Sequence, residues 1–164
     1  MMKNNWKLLV LSLFAVLFSA TAFAQTTKYK CMVQMNSYSG KEAYVVVSLM
    51  NPKGQYEETL AVLGSDNEWY KTLKEWDKFQ AKKKQKLNGI TGASVAGGAR
   101  ATKLLEFNTA KLEKGYKIRF ESAVETQKYF TKDAEVTLSA AALDNREGAK
   151  GTGYIKQVRF IKVQ

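Results

Sequence analysis

The sequence predicts a mainly β protein, a single β-sandwich of loosely immunoglobulin-like kind with one inserted amphipathic helix. Three observations carry that expectation. Six or seven short runs rich in β-branched and aromatic residues are separated by turn residues. One stretch alone shows an apolar recurrence of helical period. Neither an internal repeat nor a linker divides the chain, so the strands share one core.

Met1 to Ala24 reads as a secretory signal peptide: Lys3 and Lys7 lead, Leu8 to Phe18 is almost unbroken apolar, and Ala22-Phe23-Ala24 is a small-x-small cleavage site. Cleavage before Gln25 leaves residues 25–164 as one exported, periplasmic domain. The apolar run is short for a transmembrane helix, and no later segment offers one. Cys31 lies too far past the cleavage site for a lipid anchor. As the only cysteine it makes no internal disulfide and is expected to be a buried strand residue.

Losing Lys3 and Lys7 takes the formal charge from +11 to +9. In an exported protein that excess points to acidic partners, an anionic membrane surface or a phosphate-bearing cofactor, and away from nucleic acid. The chain has no histidine. That removes Ser-His-Asp and Cys-His catalysis, most catalytic zinc sites and histidine-ligated haem.

Lys28 to Met35 alternates as a strand. Ala43 to Met50 and Tyr56 to Leu63 form the clearest hairpin, reversed by Asn51-Pro52-Lys53-Gly54. Ser65 to Lys83 is the one substantial helix, opened by Ser65 and Glu68 as a capping box, with Trp69, Leu73, Trp76 and Phe79 along one face. Such a stripe normally buries itself against a sheet. Alternatively Trp69, Tyr70 or Trp76 lines a flat ring pocket, because the helix feeds into the next loop. Lys82-Lys83-Lys84 and Lys86 either are solvated or neutralise a phosphate there. Beyond Gly97-Gly98, strands are expected at Ala101 to Phe107, Tyr116 to Glu121 (half-buried, from its alternation), Glu135 to Ala140 and Ile155 to Val163. Thr109 to Gly115 is a connection and Asp144 to Gly153 a polar, glycine-rich loop.

The loop after the helix, Asn88-Gly-Ile-Thr-Gly-Ala-Ser94, resembles the acceptor motif for covalent flavinylation. The resemblance implies that an FAD:protein FMN transferase passes FMN to the Ser94 hydroxyl as a phosphoester. Gly92 and Ala93 keep the approach clear, and Thr91 and Asn88 shape the loop; Asn88 stands where the motif has an acidic residue. The alternative is an ordinary Gly/Ser/Thr connection. A wider set, namely Tyr44-Val45-Val46-Val47, Gly54, Thr59 to Gly64, Trp69, Leu73, Trp76, Thr91 to Ser94 and Tyr116-Lys117-Ile118, resembles the periplasmic domain of unknown function 2271. It departs from that pattern at Asn88 and at Asp77, where an aromatic is usual. The resemblance implies neighbours of PepSY membrane-protein and FMN-transferase type, and hence electron transfer by a covalently held FMN. Two other readings stay open: a non-catalytic binding or accessory module of a membrane complex, and a carboxylate hydrolase using Glu57-Glu58 or Asp66-Glu68. The hydrolase is disfavoured, since adjacent acids on a strand face opposite ways and the other pair suits a helix start.

Overall fold

The computed structural model describes residues 25–163; the expected signal peptide, Met1 to Ala24, lies outside them. Two sheets pack face to face. One has the strand order β5-β1-β9-β8, built from β1 (Thr26–Met35), β5 (Arg100–Asn108), β8 (Ala149–Lys150) and β9 (Ile155–Lys162). The other has the order β4-β3-β2-β6-β7, from β2 (Ala43–Met50), β3 (Tyr56–Leu63), β4 (Thr91–Gly92), β6 (Lys117–Val124) and β7 (Tyr129–Thr137). Every pairing between these strands is antiparallel except the two-residue β3–β4 pair. Inward side chains of both sheets, among them Tyr29, Cys31, Val33, Val45, Val47, Leu49, Leu105, Ile118, Phe120 and Val158, form the main core. Cys31 is buried as expected, and burial pushes its thiol up, so it is an inert packing group.

The outer face of the five-stranded sheet carries a second, smaller core. Val46, Val62, Leu73, Trp76 and Ala123 are buried there under helix α1 (Lys74–Lys83), with Tyr44, Tyr56, Tyr70, Phe79 and Tyr129 packed around them. β2 is therefore covered on both faces, which is why it reads as an almost continuous apolar run.

The predicted Ser65–Lys83 helix is corrected in two respects. The first part is a 3-10 segment, Asn67–Thr72, and α1 starts only after Leu73, whose φ of −87° and ψ of 62° break the helical path. The cap is Asp66, which accepts from the Glu68 amide at 2.9 Å, and not Ser65. The break lets Leu73 and Trp76 turn inward while Trp69, on the same face in a continuous helix, swings out. β6 is not half-buried but covered on both faces, because α1 and its aromatic neighbours roof its outer side. The strand expected at Glu135 to Ala140 begins at Tyr129 and ends at Thr137, and Ala140–Leu143 is a short helix, α2, capped by Ser139. Within the expected loop Asp144 to Gly153, Ala149 and Lys150 pair with Val158 and Gln157.

Candidate functional site

The loop that follows α1 is tied down at nearly every step. Lys84 ends the helix in the left-handed conformation. The Gln85 side chain then accepts from the Thr59 amide and donates to the Thr59 carbonyl, both at 2.8 Å, so it fills the β3 edge as a strand residue would. Asn88-Gly89-Ile90 forms a turn in which Gly89 takes a φ of +84°. Thr91 and Gly92 add the parallel β4 strand to β3, with the Gly64 amide donating to the Gly92 carbonyl at 2.7 Å. Three residues later, Val95 exchanges two backbone bonds with Ala43 at the start of β2, at 2.8 and 2.9 Å, and the Tyr38 hydroxyl donates to the Val95 carbonyl at 2.7 Å. Ala93 and Ser94 are thus a two-residue ledge pinned at each end to the five-stranded sheet.

The two hydroxyls of the motif have different fates. The Thr91 hydroxyl donates back to the Leu87 carbonyl at 3.0 Å and is committed to the loop. The Ser94 hydroxyl, half-buried, donates to a carboxylate oxygen of Glu42 at 2.5 Å, which is the length of a charge-assisted O–H···O bond. Ser94 also stands where two cavities meet. One, about 420 Å³, is lined by Gly92, Ala93, Ser94, Glu42, Arg100 and Lys103 among others. The other, about 370 Å³, is lined by Ser94, Glu42, Lys41, Tyr44, Trp69 and Glu125 together with Gly40. Both lie in the size range of small-molecule sites.

The first cavity has Arg100 and Lys103 as its cations, whereas the second sets aromatic surface beside Lys41, which is paired with Glu125 at 2.5 Å. Lys103 crosses the first, donating to the Thr91 carbonyl at 2.8 Å, and a Cβ on Gly92 would come within 3.1 Å of its ammonium. Gly92 therefore makes room for Lys103, a reason separate from backbone conformation. Trp69 walls the second cavity, with the ammonium groups of Lys41 and Lys71 5.5 and 5.8 Å from its ring centroid.

The structure brings Trp69, Gly92, Ala93 and Ser94 together. It does not bring Trp76 to them: that ring is fully buried, and its indole N–H donates to the Thr59 hydroxyl at 2.9 Å, leaving no face for a ligand. Asn88 and Thr91 line neither cavity, and nor do Lys82, Lys83, Lys84 and Lys86. Of the hydrolase acids, Glu57 and Glu58 are held by Lys111 at 2.5 and 3.9 Å, Asp66 caps the 3-10 segment, and Glu68 stands in that segment's first turn, away from both cavities. Among the described residues no cluster of three or more potential metal ligands occurs, and no helix is long and apolar enough to cross a membrane.

Comparison with known families matches residues 26–157 to the family described as predicted periplasmic protein (DUF2271). The chain belongs to the DUF2271 family. No curated protein and no solved structure matches it. In this DUF2271 chain the residues that sequence reasoning missed are Glu42, Lys41, Arg100 and Lys103. Glu42 is 52 positions from Ser94, and only the Ala43–Val95 bridge puts the two side by side. No local spacing signals that contact.

Proposed function

We propose that this exported protein carries FMN as a phosphoester on Ser94 and shuttles electrons between a PepSY-type membrane oxidoreductase and another acceptor of the cell envelope. The observation that carries the reading is the Ser94 hydroxyl itself: presented on a pinned ledge, donating to a carboxylate, and open to two cavities with cationic and aromatic walls. A covalent link suits a diffusible carrier, which would lose a dissociable flavin. When bound, FMN supplies one- and two-electron transfer at its ring system. Lys103 and Arg100, which line one cavity beside Ser94, would offset the phosphate charge, and Trp69 and Tyr44, which line the other, would give flat surface for the ring.

In the modification step the Ser94 oxygen attacks the FMN-side phosphorus of FAD on the transferase. The bond from that phosphorus to the AMP half breaks, AMP leaves with the bridging oxygen, and the hydroxyl proton passes to Glu42. Glu42 is exposed and free to turn away once a phosphate replaces that proton. The test is reconstitution of the purified protein with the transferase, FAD and a divalent metal. The native chain gains one FMN and Ser94→Ala gains none. Glu42→Gln is modified about 100- to 10,000-fold more slowly, the usual loss for a general base. An unmodified native chain would sink the proposal, and a Glu42→Gln rate equal to native would remove Glu42 from it.

A second reading, a non-catalytic accessory module of a membrane complex, draws on the uncovered, basic outer face of the β5-β1-β9-β8 sheet. Colourless protein with unmodified Ser94, still held by a membrane partner, would favour it.

A further inference from the structure

The two sheets differ in what covers their outer faces. α1 and its aromatic neighbours roof the five-stranded sheet, whereas strands β5, β1 and β9 of the other present a bare outer face. Alternation fixes which side chains point out. Tyr29, Cys31, Val33, Leu105, Phe107, Val158 and Phe160 are inside, so their neighbours along each strand are outside.

Register then sets the outward residues in rungs. Glu106 lies beside Lys28; Leu104, Lys30 and Ile161 form the next rung; then Thr102, Met32 and Arg159; then Arg100, Gln34, Gln157 and, across β8, Lys150. Lys28, Lys30, Arg100, Arg159 and Lys150 all stand on this face. Glu106 is the one acid at these positions, and Lys28 already holds it at 2.8 Å. Arg100, Arg159 and Lys156 surround a depression of about 310 Å³ floored by Met32, Gln34 and Gln157. Leu104 and Ile161, 47 % and 64 % exposed, are the large exposed hydrophobic side chains among the described residues, and they share one rung on either side of Lys30.

We propose that this face docks on an anionic phospholipid bilayer, with phosphate headgroups taken between Arg100, Lys156 and Arg159 and with Leu104 and Ile161 entering the interface. Charge complementarity selects an anionic occupant. The flat, open sheet with two apolar side chains set among cations selects a lipid surface, because long basic side chains keep their charge at headgroup level while apolar neighbours sink below it. Arg100 also lines the larger cavity beside Ser94, so docking holds that ledge next to the membrane. The inference does not depend on Ser94 being modified.

The test is co-sedimentation of protein purified from the periplasm with phosphatidylcholine vesicles, with or without a third of phosphatidylglycerol. Native protein binds the anionic vesicles and not the neutral ones, and added salt weakens the binding. Reversing two charges at once, Arg100→Glu with Arg159→Glu, lowers the partition coefficient at least about 100-fold, since each unit of charge near such a surface counts for roughly a factor of five to ten. Leu104→Ser with Ile161→Ser lowers it several-fold at unchanged charge. The control Lys82→Glu with Lys83→Glu, an equal charge change on α1, leaves it near native. Absence of binding, equal binding to neutral vesicles, or an equal loss in the control would overturn the proposal.

Discussion

Trp69 and Trp76 sit seven residues apart on what the sequence presents as a single helical stripe, and they end in opposite surroundings. Trp76 is sealed between α1 and the five-stranded sheet, hydrogen-bonded to Thr59 and edge-on to Tyr70 at 5.2 Å. Trp69 stands outside that sheet's second core, beside two lysines and against the cavity that opens on Ser94. The difference comes from one backbone break, at Leu73. It teaches that a stripe of aromatics holds two kinds of residue, one that stabilises the fold and one that offers surface to a ligand. The helix period alone does not separate them.

The largest expected effect lies on the closed side. Trp76→Ala removes a fully buried ring and leaves the Thr59 hydroxyl without its donor, so it should cost about 3–5 kcal/mol in denaturant unfolding. A loss below about 1 kcal/mol would mean that the region under α1 is not packed as described.

Glu121 sharpens the same comparison through pH. It is fully buried beneath α1, accepting from the Tyr56 hydroxyl at 2.5 Å and from the Tyr129 hydroxyl. Burial raises its pKa, against the lowering effect of the two tyrosine bonds and of Arg119. A carboxyl whose folded pKa lies above its unfolded value of about 4.3 adds stability that is complete below that value and is lost as pH rises through the folded pKa. Native protein should therefore lose stability relative to Glu121→Gln as pH rises from about 4, levelling off once Glu121 is ionised. Parallel pH profiles for the two proteins would show that Glu121 titrates as it does in the unfolded chain.

On the open side the effects on stability are small and those on the ligand large. Trp69→Ala should cost less than about 1 kcal/mol, because little buried contact is lost. If FMN on Ser94 rests against that ring, the same change raises flavin fluorescence by removing a quencher while leaving the extent of modification as it was. Unchanged fluorescence would place the ring system elsewhere. Ser94→Ala should be the mildest of all for the fold, within about 0.5 kcal/mol of native.

What could be read from the sequence follows the same division. The hairpin of β2 and β3 appears with its expected bounds because Pro52 and Gly54 fix the turn locally. Tyr129 to Asp133 did not announce itself as a strand, since Asp133 reads as a polar surface residue. In the fold Asp133 is fully buried and accepts from the amides of Thr152, Gly153 and Ile155, at 3.0, 2.6 and 2.9 Å, partners some twenty positions away. The candidate site divides likewise. Ser94 and the small residues before it stand in one heptapeptide and are legible there, but the carboxylate that accepts its hydrogen bond and the cations around it come from β5 and from the segment just before β2. Asn88, the first residue of that heptapeptide, stays outside both cavities.

The most direct test of the account is the mass of one peptide. Trypsin releases Leu87 to Arg100, which holds two hydroxyls, Thr91 and Ser94. From protein matured alongside an FAD:protein FMN transferase, that peptide should carry one FMN less water, with fragmentation placing it on Ser94. An unmodified peptide, or a flavin located on Thr91, would contradict the account.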